Sequence, residues 1–130
     1  GNPAPSAYMD GGRAANEDWL ISKKIAIPTD YSTISFSFES DGRYNSDPNV
    51  PSLEVYITDN YTGNVTTTTW TKKTVNLDTD LNAFAGFVGT GKIDVTSFKG
   101  KDLVVAFKYR SVAGFSTTWE LDNFSVKGMK

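Results

Sequence analysis

The chain has 130 residues, a formal net charge of −2 from 13 basic and 15 acidic side chains, and neither Cys nor His. That length carries one hydrophobic core rather than two. The dispersed charge offers no basic stripe for nucleic acid, and without thiols there are no disulfides and no thiolate metal sites. No apolar run approaches the roughly 20 residues that span a bilayer, so direct membrane insertion is not expected.

Residues 1–15 read as a flexible linker, with Gly1-Asn2-Pro3-Ala4-Pro5-Ser6 as a polar start and Gly11-Gly12 as the softest point. The chain opens on Gly rather than Met, and a longer natural protein with neighbouring domains is expected. Residues 16–130 are expected to form a single domain. Its first strand runs through Trp19-Leu20-Ile21 to Ile25-Ala26-Ile27 and stops at Pro28. Ile34-Ser35-Phe36-Ser37-Phe38 alternates strictly, which gives a half-buried antiparallel strand with its serines outward.

Residues 39–52 read as a long polar connection, with turn signals at Asp41-Gly42 and Asp47-Pro48. Leu53, Val55 and Ile57 define another inward face, with Glu54 and Tyr56 outward. After a turn at Asn60–Asn64, the threonine-rich segment Val65–Trp70 reads as strand or edge. Residues 71–92 carry no assignable pairing, although Phe84, Phe87 and Val88 are expected to be buried. Asp94–Lys101 reads as a compact turn before a central strand, Leu103–Tyr109, that is apolar on both faces. The last strand, Trp119–Val126, changes apolar parity between Leu121 and Phe124, which places a β-bulge at Asp122-Asn123. Seven or eight short strands predict an all-β, two-sheet antiparallel sandwich of jelly-roll or immunoglobulin-like topology.

Four segments together carry a family resemblance. Asn16-Glu17-Asp18-Trp19-Leu20-Ile21-Ser22, Leu53–Thr58 with Thr69-Trp70-Thr71-Lys72, Ile93–Lys101 and Trp119–Val126 resemble, in that order, the motifs of choice-of-anchor J and cleaved-adhesin domains. Lys23-Lys24 departs from the Ser-Pro found at that point in the family. The resemblance implies a jelly roll related to MAM-like, galactose-binding and carbohydrate-binding modules. It also implies a setting at the cell surface or outside the cell, in exported multi-domain adhesins, enzymes or lipoproteins of Bacteroidetes-type bacteria, where the module does no chemistry itself.

With no His or Cys, a Ser-His or Cys-His nucleophile is impossible, and no acidic pair stands in a recognisable glycosidase context. The expected function is therefore non-catalytic: carbohydrate binding or adhesion, with a glycan or a surface protein as partner, or else a structural spacer. Sugar recognition calls for aromatic rings beside amides and carboxylates, and Tyr44, Asn45, Asp47, Tyr61 and Trp70 offer that mixture. Trp19 and Trp119, each beside apolar neighbours, read as core. Related carbohydrate-binding modules tie their first and last strands with a structural Ca²⁺. Carried over, its ligands would be Glu17 or Asp18 with Asp122, the competing reading being that Asp122 and Asn123 satisfy backbone donors at the bulge. Asp78-x-Asp80-x-Asn82 lacks the glycine and glutamate of an EF-hand and reads as a solvated turn.

Overall fold

The computed structural model describes residues 7–10, 15–44, 52–81, 86–114 and 116–130. Ten strands follow in chain order. They are β1 (Ala7–Met9), β2 (Asn16–Ile21), β3 (Ile25–Ala26), β4 (Thr33–Arg43), β5 (Leu53–Thr58) and β6 (Thr71–Lys73), then β7 (Val88–Gly89), β8 (Ile93–Asp94), β9 (Asp102–Ser111) and β10 (Thr118–Met129). A 3₁₀ turn at Thr96–Phe98 fills the expected compact turn. Among the described residues no helix is long and apolar enough to cross a membrane.

Two antiparallel sheets of five strands result. The front sheet runs β1-β10-β4, with β7 and β8 side by side along the far edge of β4. The back sheet runs β9-β5-β6, with β2 and β3 along the other edge of β9. Taken as single interrupted strands, β2–β3 and β7–β8 reduce the ten to eight positions. Each position then pairs with its mate from the opposite end of one long antiparallel hairpin: β1 with β10, β2–β3 with β9, β4 with β7–β8, and β5 with β6. Rolling that hairpin over itself adds the β10–β4 and β9–β5 contacts and produces a jelly roll. The fold is thus the predicted all-β sandwich, and of the two topologies left open it is the jelly roll.

The inner faces carry the core. Ile34, Phe36 and Phe38 from β4, and Trp119 and Leu121 from β10, meet Leu53, Val55 and Ile57 from β5 and Leu103, Val105, Phe107 and Tyr109 from β9. Each such side chain contributes about 1.5–3 kcal/mol when withdrawn from water. The polar tips of the two largest are satisfied. Tyr109 donates its hydroxyl to the Thr117 carbonyl at 2.7 Å, and the Trp119 indole N–H donates to Ser52 Oγ at 3.1 Å.

Several expectations are corrected. The presumed linker over 1–15 contains β1, which extends the front sheet by pairing with Trp119–Leu121. The polar connection does not begin at 39: β4 continues to Arg43, and Asp41-Gly42 pairs with Trp119-Glu120 instead of turning. Gly42 packs close to the Trp119 ring and the tip of Leu81, and an added Cβ would press on both. The Val65–Trp70 segment is a turn, not a strand. Its threonines bond locally: Asn64 Oδ1 accepts from the Thr66 amide and hydroxyl, and the Thr68 hydroxyl donates to the Asn64 carbonyl. Local bonds of this kind compete with a ladder and here replace it.

The first predicted strand is also split. At the break, the Ser22 hydroxyl takes the place of a backbone carbonyl and accepts the Val105 amide at 2.9 Å, while Lys23 and Lys24 project into solvent. The expected bulge is present. Asp122 pairs with Glu39 and Ser125 with Ser37, so Asn123 and Phe124 together oppose Phe38.

Two substitutions probe this packing. Tyr109→Phe leaves the buried Thr117 carbonyl without its donor, and thermal denaturation should show a loss of about 1–3 kcal/mol. Gly128 lies under the Tyr31 ring, whose atoms begin 2.5 Å from the position of an added Cβ. Gly128→Ala should cost about 1–3 kcal/mol by overpacking, read from a shifted urea midpoint with an unchanged slope.

Candidate functional site

A cavity of about 540 Å³ forms a groove on the outer face of the front sheet. Strand alternation builds it. With Phe36 and Phe38 facing the core, Ser35, Ser37 and Glu39 must face out. Register then sets Ser125 beside Ser37 and Lys127 beside Ser35. The β7–β8 connection, Gly89–Lys92, forms the opposite bank, and a Cβ at Gly89 or Gly91 would meet nothing within 4 Å, so that lip is open. A second cavity of about 350 Å³ shares Ser35, Lys92 and Lys127 and extends the groove toward Asp94 and Met129. Its size falls in the range of small-ligand pockets.

The bulge furnishes one end of this groove. Asn123 adopts a left-handed backbone conformation (φ 53°), which asparagine tolerates better than most residues. Its amide N–H is held by Asp122 Oδ1 and its side-chain Nδ2 by Glu39 Oε2, both at 2.8 Å. Two cross-strand carboxylates that would repel are thus bridged by one asparagine. Phe124 packs against Phe36 and Phe107 with centroids at 5.9 and 6.4 Å, yet stays 39% exposed and lines the groove. At the other end the Thr96 hydroxyl and amide hold Asp94, which keeps its carboxyl below the ordinary range.

The outer face of the back sheet is closed instead. Trp19 is half-buried there and not part of the core, a correction to the sequence reading. It stacks on Trp70 at 5.5 Å and contacts Tyr56 at 5.6 Å, and Tyr61 adds to Trp70 at 5.8 Å. The Trp70 indole donates to the Val65 carbonyl, which pins the threonine turn beside the cluster. These rings pack on one another and each stays partly exposed. Charged pairs border them. Arg110 and Lys108 reach Glu17 at 3.2 and 3.4 Å, and the Arg110 guanidinium holds the Glu17 carboxyl below its usual value against slight burial. At Glu54 burial pushes upward, but the Lys72 ammonium at 2.7 Å outweighs it and the carboxyl is lowered.

The residues expected to bind a ligand are therefore dispersed. Tyr61 and Trp70 join the back-sheet cluster, Tyr44 lies at the end of β4 with Arg43 over its ring at 4.8 Å, and Asn45 and Asp47 lie outside the described residues. The carboxylates expected to share Ca²⁺ are divided between sheets: Glu17 and Asp18 on β2, Asp122 on β10. It is β1, not β2, that pairs with the last strand. Glu17 is held by two cations, and Asp122 accepts the Asn123 amide at the bulge. No group of three potential metal ligands converges among the described residues. What sequence reasoning missed is the Ser35–Ser37–Ser125–Lys127 face. Its signal was present in the alternation of both strands, but their register was not.

Asp41 and Asp78 are the buried carboxylates of the described chain, at 4% and 6% exposure. Asp78 is no solvated turn residue: it accepts the Gly42 and Asp80 amides, and its own amide donates to Ser40 Oγ. It therefore ties the β6–β7 connection to β4. Asp41, opposite Glu120 in register, keeps Oδ1 without a hydrogen-bond partner among the described residues. Burial, and then the Asp78 and Glu120 charges, raise its carboxyl above the ordinary value, while the Gly86 amide pulls against them.

No protein-family model matches the chain, and no curated protein matches it in sequence. A carboxyl raised in the folded state contributes stability that is present below its unfolded value and is lost as pH rises through the folded one. Asp41→Asn should therefore melt a few degrees above the parent near neutral pH, with the gap closing as pH falls through the carboxylate range. Calorimetry across that range checks it, and a gap independent of pH would contradict the raised titration.

Proposed function

We propose that this chain is a non-catalytic glycan-binding module, acting in adhesion or substrate capture outside the cell as part of a larger surface or secreted protein. The observation that carries the proposal is the front-sheet groove, where hydroxyls of Ser35, Ser37 and Ser125, the Asn123 amide and the exposed part of Phe124 line one open trough. Hydroxyls and amides bond to sugar hydroxyls, and an aromatic ring packs on the apolar face of a sugar. An open trough on a sheet also admits a polymer without requiring a chain end.

Two further points favour the reading. The four segments that together resemble choice-of-anchor J and cleaved-adhesin domains imply a relation to carbohydrate-binding modules. Non-catalysis is favoured by the occupation of the groove carboxylates: Glu39 is bonded to Asn123 and Asp94 to Thr96, so neither is poised for proton transfer. The spacer alternative draws support from the back sheet, where the aromatic cluster is spent on packing.

Titration calorimetry against a panel of soluble polysaccharides tests the proposal. The parent should bind at least one of them, and Asn123→Gly, which keeps the left-handed bulge but removes the amide, should weaken binding about tenfold while the melting temperature stays within a few degrees. No heat with any polysaccharide would leave the spacer reading in its place.

A further inference from the structure

The groove is polar along its length, but its charge is not evenly spread. At the bulge end Glu39 and Asp122 are bridged by Asn123. At the other end stand Lys92 and Lys127, the two side chains that, with Ser35, line both adjoining cavities. Register fixes their places. Lys127 is directly beside Ser35 on one side, and Asp94 is beside Ser35 on the other. Lys92 lies just before β8, on the β8 side of β4, and lines both cavities together with Lys127. The two lysines therefore flank the same pair of hydroxyls from opposite banks.

Their position rather than their pairing sets them apart, since Lys23, Lys24, Lys73 and Lys99 also have no ion-pair partner among the described residues. Lys72, Lys101, Lys108, Arg110 and Lys130 all have carboxylate partners. Neither groove lysine has an ion-pair partner among the described residues. Asp94, which lines the second cavity with them, is already engaged by the Thr96 hydroxyl and amide. Two unneutralised ammonium groups lining one groove repel, and an anion bound there removes that repulsion while gaining charge-assisted hydrogen bonds.

Resting on the glycan reading above, we propose that the ligand is an anionic polysaccharide, with a carboxylate or sulfate group bound between Lys92 and Lys127 and bonded to the Ser35 hydroxyl. The neutral part of the sugar chain then runs toward Asn123 and Phe124. This polarity gives the groove a direction as well as a charge preference.

The test uses matched pairs that differ only in charge: polygalacturonate against its methyl ester for the carboxylate, and dextran sulfate against dextran for the sulfate. Binding is read by titration calorimetry at low and high NaCl. One charged polymer should bind at least tenfold more tightly than its neutral match, and more weakly as salt rises. Lys92→Gln and Lys127→Gln should each weaken that binding about fivefold or more, with melting temperatures unchanged. Lys24→Gln, an exposed lysine of the back sheet, should have no effect. Equal affinity for charged and neutral members with both groove variants unaffected would overturn the anion site but keep the groove as a glycan site. A loss with Lys24→Gln as large as with the groove variants would overturn it too, as general charge attraction. Failure of all four polymers, together with the wider neutral panel, would overturn the glycan reading itself.

Discussion

Pairing of β10 with β4 is broken once, where Asn123 and Phe124 together oppose Phe38, and much of the structure depends on that interruption. Before it, Trp119 and Leu121 point inward and build one end of the core. After it the parity is reversed, so Ser125 and Lys127 point outward and Val126 packs on the core. Without the extra residue the serine–lysine face would turn inward, and polar groups would be buried without partners at a cost that no contact in this core offsets. The same bulge exposes Phe124 and aims the Asn123 amide at Glu39. Local backbone irregularity, core completion and the candidate site are consequences of a single register shift.

The two outer faces show opposite uses of similar side chains. On the back sheet, Ala106 lies opposite Tyr56 and is fully buried although it points away from the core. Trp19, Tyr56, Trp70 and Tyr61 supply that cover, and ion pairs around Glu17 and Glu54 border it. These exposed pairs add little stability individually, but they neutralise the charges of that face. On the front sheet the groove is lined by Ser35, Ser37 and Ser125 with Glu39 and the partly exposed Phe124, and Lys92 and Lys127 have no carboxylate partners among the described residues. One face is covered by packed rings and the other carries an open groove.

Much of this was legible beforehand. Alternation in Ile34–Phe38 and Leu53–Ile57 identified inward and outward faces correctly, because a strand's side chains alternate whatever its partner. The parity change in Trp119–Val126 located the bulge for the same reason. The misreadings share a cause. Local turn and strand preference point the wrong way at Asp41-Gly42 and Thr66–Thr69: Gly42 pairs with Trp119 within β4, and Asn64 bonds the threonines into a turn. Trp19 was placed in the core on the strength of its apolar neighbours, while its cover comes from Trp70, far along the chain.

The sequence by itself determined the class: one all-β sandwich, without thiol or imidazole chemistry, with a bulge in its last strand and a central strand apolar on both faces. Those properties depend on composition and on period-two alternation, which act within a few residues. Only the tertiary structure decided which strands are neighbours, and with them the jelly-roll order, the division of Glu17 from Asp122, and the meeting of Ser35, Ser37, Ser125, Lys92 and Lys127 in one groove. Strand order is set by pairing across nearly the whole chain, and no local pattern encodes which of several similar strands will supply the partner.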